Sequence, residues 1–87
     1  MDTEQLLREC IVAVCDVPAD RVRPDAELDS LGIDSLASAE VIFELEIRTG
    51  RQLPNHVLRK IGGLRTVGAV AAELDAVLAE PAGPGGP

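Results

Sequence analysis

The sequence predicts an all-α fold, a small four-helix bundle with a long loop between its first and second helices. Three observations carry that prediction. Apolar residues recur at spacings of three and four in four separate segments, the prolines fall between those segments, and no stretch alternates strictly as a half-buried strand would. Eighty-seven residues make one domain, too few for a second core. Hydrophobic residues are 46% of the chain and aromatics only 1%, so the core is built from Leu, Val, Ile and Ala, which favours close helix packing.

The first helix is expected from Thr3 to Asp16, with Asp2 as N-cap and Gln5 three residues on, the spacing of a capping box. Leu6, Leu7, Cys10, Ile11 and Val14 form its apolar stripe. Cys10 belongs to that stripe and is read as core filler, not as a catalytic partner of His56, the single histidine. From Val17 to Asp34 the periodicity fails: Pro18 and Pro24 interrupt it, and Leu28, Leu31 and Ile33 are the strong apolar anchors. A loop of this length without regular structure is uncommon in a compact domain and often functional.

The second helix follows from Ser35 to about Thr49, where Gly50 stops it. Pro54 opens a short third helix with Val57, Leu58 and Ile61 inward, ended by Gly62 and Gly63. Thr66 caps a fourth, Val67 to Leu78, with Val67, Val70, Ala71, Leu74, Val77 and Leu78 as its stripe. Residues 1–79 are therefore read as the domain, and the Pro/Gly-rich end, residues 80–87, as a disordered tail.

The net charge of −7 argues against binding nucleic acid or an anionic membrane, both of which reward a basic surface. Cys10 and Cys15 lie five residues apart on one helix, with side chains about 140° apart, so they do not bridge. Two thiols without framework spacing fit a reducing cytoplasm, and neither a signal peptide nor a membrane-length apolar run is present.

Within "LGIDSLASAEVIFELE", Asp34 is a good N-cap and Ser35 becomes the first helical residue. Its hydroxyl stands near unpaired N–H groups at the positive end of the helix dipole, where a phosphate ester gains about 0.3–1 kcal/mol. A nucleophile elbow needs flanking glycines and a preceding strand, which "GIDSL" lacks, so no catalytic residue is assigned. The hydroxyl reads as one modified by another enzyme.

"LGIDSL" ahead of an amphipathic helix resembles the attachment site of acyl carrier proteins of the free-standing type. The resemblance covers nearly the whole chain: the first helix, the long loop, the "DSL" helix, "LP" at Leu53-Pro54, and "RTVGAVAAEL". It implies a monomeric, non-enzymatic carrier. It implies phosphopantetheine on Ser35, transferred from coenzyme A by a phosphopantetheinyl transferase, and cargo held as a thioester. On the second helix, Leu36, Ala39 and Phe43 form one apolar line, with Ile47 beyond, and Val41, Ile42 and Leu45 another. By the resemblance the second line faces the core, and the first, with Asp34, Glu40, Glu44 and Glu46, meets partners: acyltransferase, ligase or synthase enzymes.

The chain departs from the family after the second helix. Many acyl carriers have an acidic third helix, yet here no acidic residue lies between Ile47 and Ala72, while Arg48, Arg51, Arg59, Lys60 and Arg65 do. Arg59 and Lys60 are accordingly read either as a recognition patch or as surface balance. The chain also looks a few residues longer than usual through "IGGL". These departures lean toward polyketide or other specialised biosynthesis, such as that of antibiotics, over housekeeping fatty-acid synthesis. The rivals are an aminoacyl or peptidyl carrier of a nonribosomal pathway, which more often reads "GGDSL", and an unmodified helical interaction domain.

Overall fold

A computed structural model describes residues 2–79; the tail expected over residues 80–87 lies outside the described residues. The helices are α1 (Thr3–Cys15), α2 (Ser35–Thr49), α3 (Asn55–Gly62) and α4 (Val67–Leu78), with two single 3₁₀ turns, Ala19–Arg21 and Asp29–Leu31, in the long loop. The all-α bundle is the one the sequence predicts.

Asp2 caps α1 by accepting from the Gln5 N–H at 3.2 Å. Gln5 does not close the box. Its amide donates to Glu9 and its carbonyl accepts from Arg8, so both ends are engaged one turn further along. The helix stops one residue before its expected end, because Asp16 turns into the left-handed region (φ 57°) as its C-cap.

The long loop is less irregular than the sequence suggests. Its deepest residue is Val22, 1% exposed, which belongs with Leu31 and Ile33 as an anchor, whereas Leu28 is only half-buried. The Val22 carbonyl accepts from Arg8 Nε at 3.1 Å, which ties this turn back to α1. The other end of the loop serves α4. Val67 N–H donates to Ala26 O at 3.0 Å and Gly68 N–H to Pro24 O at 2.8 Å, while Ala69 N–H donates to Thr66 Oγ1. Three first-turn donors that a helix cannot satisfy itself thus find partners. Leu28 N–H also donates to Arg65 O, giving a single antiparallel bridge at Glu27 and Thr66 rather than a strand.

Gly68 is required by that approach. A Cβ there would sit 2.8 Å from Pro24 O, inside any real contact distance. Gly68→Ala should therefore destabilise by about 1–3 kcal/mol through overpacking. Helix propensity alone predicts the opposite sign. A urea melt decides between them; a stabilised variant would contradict the close approach.

One apolar core joins the helices. Leu7, Cys10 and Ile11 come from α1, Val41, Ile42 and Leu45 from α2, Val57 and Ile61 from α3, and Val67, Val70, Ala71 and Leu74 from α4. α1 packs on α2 and α4, and α3 on α4. α1 and α2 run antiparallel: Glu9 meets Arg48 near the end of α2, at 3.5 Å, while Cys15 lies near Asp34 and Glu40 at its beginning. Two polar ties close the far end. Thr3, the buried polar residue, donates from Oγ1 to Asp75 at 2.8 Å, and the Arg51 guanidinium donates to Leu78 O at 2.8 Å, capping α4.

Candidate functional site

The site is built by the turn that precedes α2. Gly32 adopts φ 76° and reverses the chain, and Ile33 is buried just before the helix. Asp34 and Ser35 consequently emerge at the surface, both exposed. Asp34 caps the helix, its Oδ1 accepting from Ala37 N–H at 2.8 Å. The Ser38 N–H donates to the Asp34 carbonyl at 2.8 Å, so the N–H groups of Ser35 and Leu36 remain outside the helix ladder, beside the Ser35 hydroxyl.

A cleft of about 660 Å³ opens beside that hydroxyl. Ile33, Ile42, Leu58 and Ile61 line its apolar part, and Glu27, Asp29, Asp34 and Arg65 its charged part. Gly62, Gly63 and Leu64 contribute the α3–α4 corner, and Ser35, Ser38 and Ala39 the α2 side. A further apolar void of about 20 Å³ lies toward the core, bounded by residues such as Leu7 and Val70. That is about the space of a single water or methyl group.

The outward face of α2 carries Leu36, Phe43 and Ile47, which are 71%, 64% and 60% exposed, with Ala39 exposed between them. Val41, Ile42 and Leu45 are buried on the other side, as expected. The charged residues assigned beside that face separate into two groups. Glu40 and Arg59 are exposed and make no ion pair among the described residues. Glu44 is paired with Arg48 at 2.8 Å, Lys60 with Glu73 at 3.1 Å, and Glu46 accepts from the Leu53 N–H at 2.8 Å. Glu46 thus has a structural duty, holding the entry to α3.

Burial pushes the Cys10 thiol up, and burial, with the Glu40 and Asp34 carboxylates adding, pushes the Cys15 thiol up. Both stay protonated at neutral pH. His56 is exposed at the start of α3, whereas Cys10 is fully buried. Among the described residues no group of three His, Cys, Asp or Glu could hold a metal ion, and no helix is long and apolar enough to cross a membrane.

The family described as a phosphopantetheine attachment site matches residues 5–74, from within α1 to the last fully buried residue of α4. This chain belongs to that family. Carriers of this family hold a covalently attached phosphopantetheine and are not enzymes, and they interact with synthase and transferase enzymes. The carrier is also similar to the methylphloroacetophenone synthase of Cladonia uncialis, 37% identical over 54 residues, which is 62% of this chain. It spans about 2% of that synthase's length. The carrier's geometry fits the group. An exposed hydroxyl stands at a capped helix mouth, with two outward N–H groups beside it and a cleft adjoining.

The cleft lining is what sequence reasoning missed. Glu27 and Asp29 lie far from Arg65 in the chain and meet it only because the loop pairs with the start of α4. Helical periodicity carries no signal of that meeting.

Proposed function

We propose that Ser35 bears the phosphopantetheine and that this carrier shuttles acyl intermediates between the enzymes of a polyketide or other specialised biosynthetic pathway. The observation that carries the proposal is the Ser35 hydroxyl, exposed at the mouth of α2 within the matched region. When attached, the group supplies a thiol on a flexible tether, which raises the effective concentration of thioester cargo at each partner. The residues of the chain do the rest. Asp34 fixes the helix start, and the N–H groups of Ser35 and Leu36 and the helix dipole favour a phosphate there. The similarity to a methylphloroacetophenone synthase supports the polyketide reading. Incubation with coenzyme A and a phosphopantetheinyl transferase should add one phosphopantetheinyl mass; no gain with a competent transferase contradicts the proposal.

In this reading residues 1–79 work as one monomeric unit in the cytoplasm. Leu36, Ala39 and Phe43 meet the transferase and the acyltransferase, ligase or synthase partners, with Glu40 and Arg59 as the available charges. Glu40→Lys should lower the kcat/KM of modification several-fold at low salt, and Arg59→Glu should slow acyl transfer with the cognate partner. Neither should move the Tm much, because exposed charges contribute little stability. Both effects should fade as ionic strength rises. Rates equal to wild type at low salt would leave these two charges as surface balance.

A further inference from the structure

Arg21 is exposed, yet its guanidinium is engaged within the chain. Its Nη2 donates to Ser30 O at 3.3 Å, from the first 3₁₀ turn of the long loop to the second. Arg21 makes no ion pair among the described residues, although Asp20 precedes it. Among the described residues, this is the sole hydrogen bond that ties the turn Asp29–Leu31 to a residue outside 28–33. The others are local: Leu31 N–H donates to Leu28 O, Gly32 N–H to Asp29 O and Ile33 N–H to Leu28 O. Leu31 and Ile33 anchor the inner side of the turn by burial, while Asp29 and Ser30 lie at the surface. The outer edge therefore depends on Arg21.

A tether holds only if its own base is fixed, and that of Arg21 is. Arg21 N–H donates to Pro18 O at 3.0 Å, and the next N–H, of Val22, to Ala19 O at 3.1 Å. Val22 is buried, and its carbonyl accepts from Arg8 Nε on α1. Thus α1 holds Val22, and the neighbouring Arg21 holds the turn. Gly32, at φ 76°, then leads directly from that turn through Ile33 to Asp34 and Ser35.

We propose that Arg21 is a positioning residue for the modification of Ser35. It holds the Asp29–Leu31 turn in the shape from which α2 presents the hydroxyl to the transferase. The proposal rests on the assignment of the phosphopantetheine to Ser35. Without the tether the buried anchors remain, so the domain stays folded while the outer edge of the turn samples other shapes. An enzyme that binds only the held shape then finds fewer competent molecules, and its apparent affinity falls in proportion.

The test measures modification kinetics by mass, with coenzyme A and a competent transferase, for wild type, Arg21→Met and Arg23→Met. Arg23 is exposed in the same loop, and its side chain has no hydrogen bond or ion pair among the described residues. Its substitution thus removes the same charge without a tether. Arg21→Met should raise KM about two- to fivefold, the scale of one exposed hydrogen bond, with kcat and Tm near wild type. Arg23→Met should match wild type in all three. In amide NMR of the unmodified protein, Arg21→Met should shift Asp29 to Ser35 and leave α4 native. An unchanged KM in Arg21→Met, or an equal rise in both variants, overturns the positioning role and leaves Ser35 standing. No mass gain in wild type overturns the Ser35 assignment, and this inference with it.

Discussion

Leu45→Ala should destroy most of the stability of this protein, whereas Phe43→Ala, two residues earlier on the same helix, should leave it folded. Leu45 is 0% exposed in the core between the helices, and Phe43 is 64% exposed on the opposite face of α2. Emptying a buried leucine site costs about 2–5 kcal/mol, because the cavity collapses only in part. A domain holds about 5–15 kcal/mol in total, and a small one sits near the lower end. Exposed positions away from caps and networks shift stability by about 0.5 kcal/mol or less. Urea melts of the two variants give the comparison directly. A loss at Phe43 as large as that at Leu45 would put the single aromatic residue in the core and remove the apolar face offered to partners. If Phe43→Ala folds normally but is modified or acylated poorly, that face is a recognition surface.

Both ends of α2 were legible because each is set by neighbouring residues: Asp34 caps it and Gly50, at φ 70°, stops it. α4 was legible for the same reason, with Thr66 as its cap. Which side of α2 faces the core needed the family resemblance, since both sides are apolar. Val22 was not legible. It sits among Asp20, Arg21, Arg23 and Pro24, and its burial comes from contacts that no local pattern announces. The hydrogen bond of Glu46 was not legible either: on the helix it looks like a surface acid, and only the fold brings the Leu53 amide to it. Ser35 stood out because a hydroxyl, a capping acid and a helix start coincide there. The cleft did not, because the loop and the α3–α4 corner that form it are joined by backbone hydrogen bonds between distant segments.

The second large effect is all-or-none. Ser35→Ala removes the hydroxyl at the mouth of α2 and nothing the fold uses: Ser35 is exposed, and the Asp34 cap acts through Ala37. The variant should melt within a degree or two of wild type, since neither burial nor a hydrogen bond is lost. Ser30 lies in a 3₁₀ turn and Ser38 is half-buried inside α2, so neither offers a hydroxyl at a helix mouth. Intact-protein mass spectrometry after incubation with coenzyme A and a competent transferase therefore tests the central claim most directly. Wild type should gain one phosphopantetheinyl group, found on the peptide that contains Ser35, and Ser35→Ala should gain none. A modified Ser35→Ala protein, or a wild type that the same transferase leaves unmodified, would contradict it.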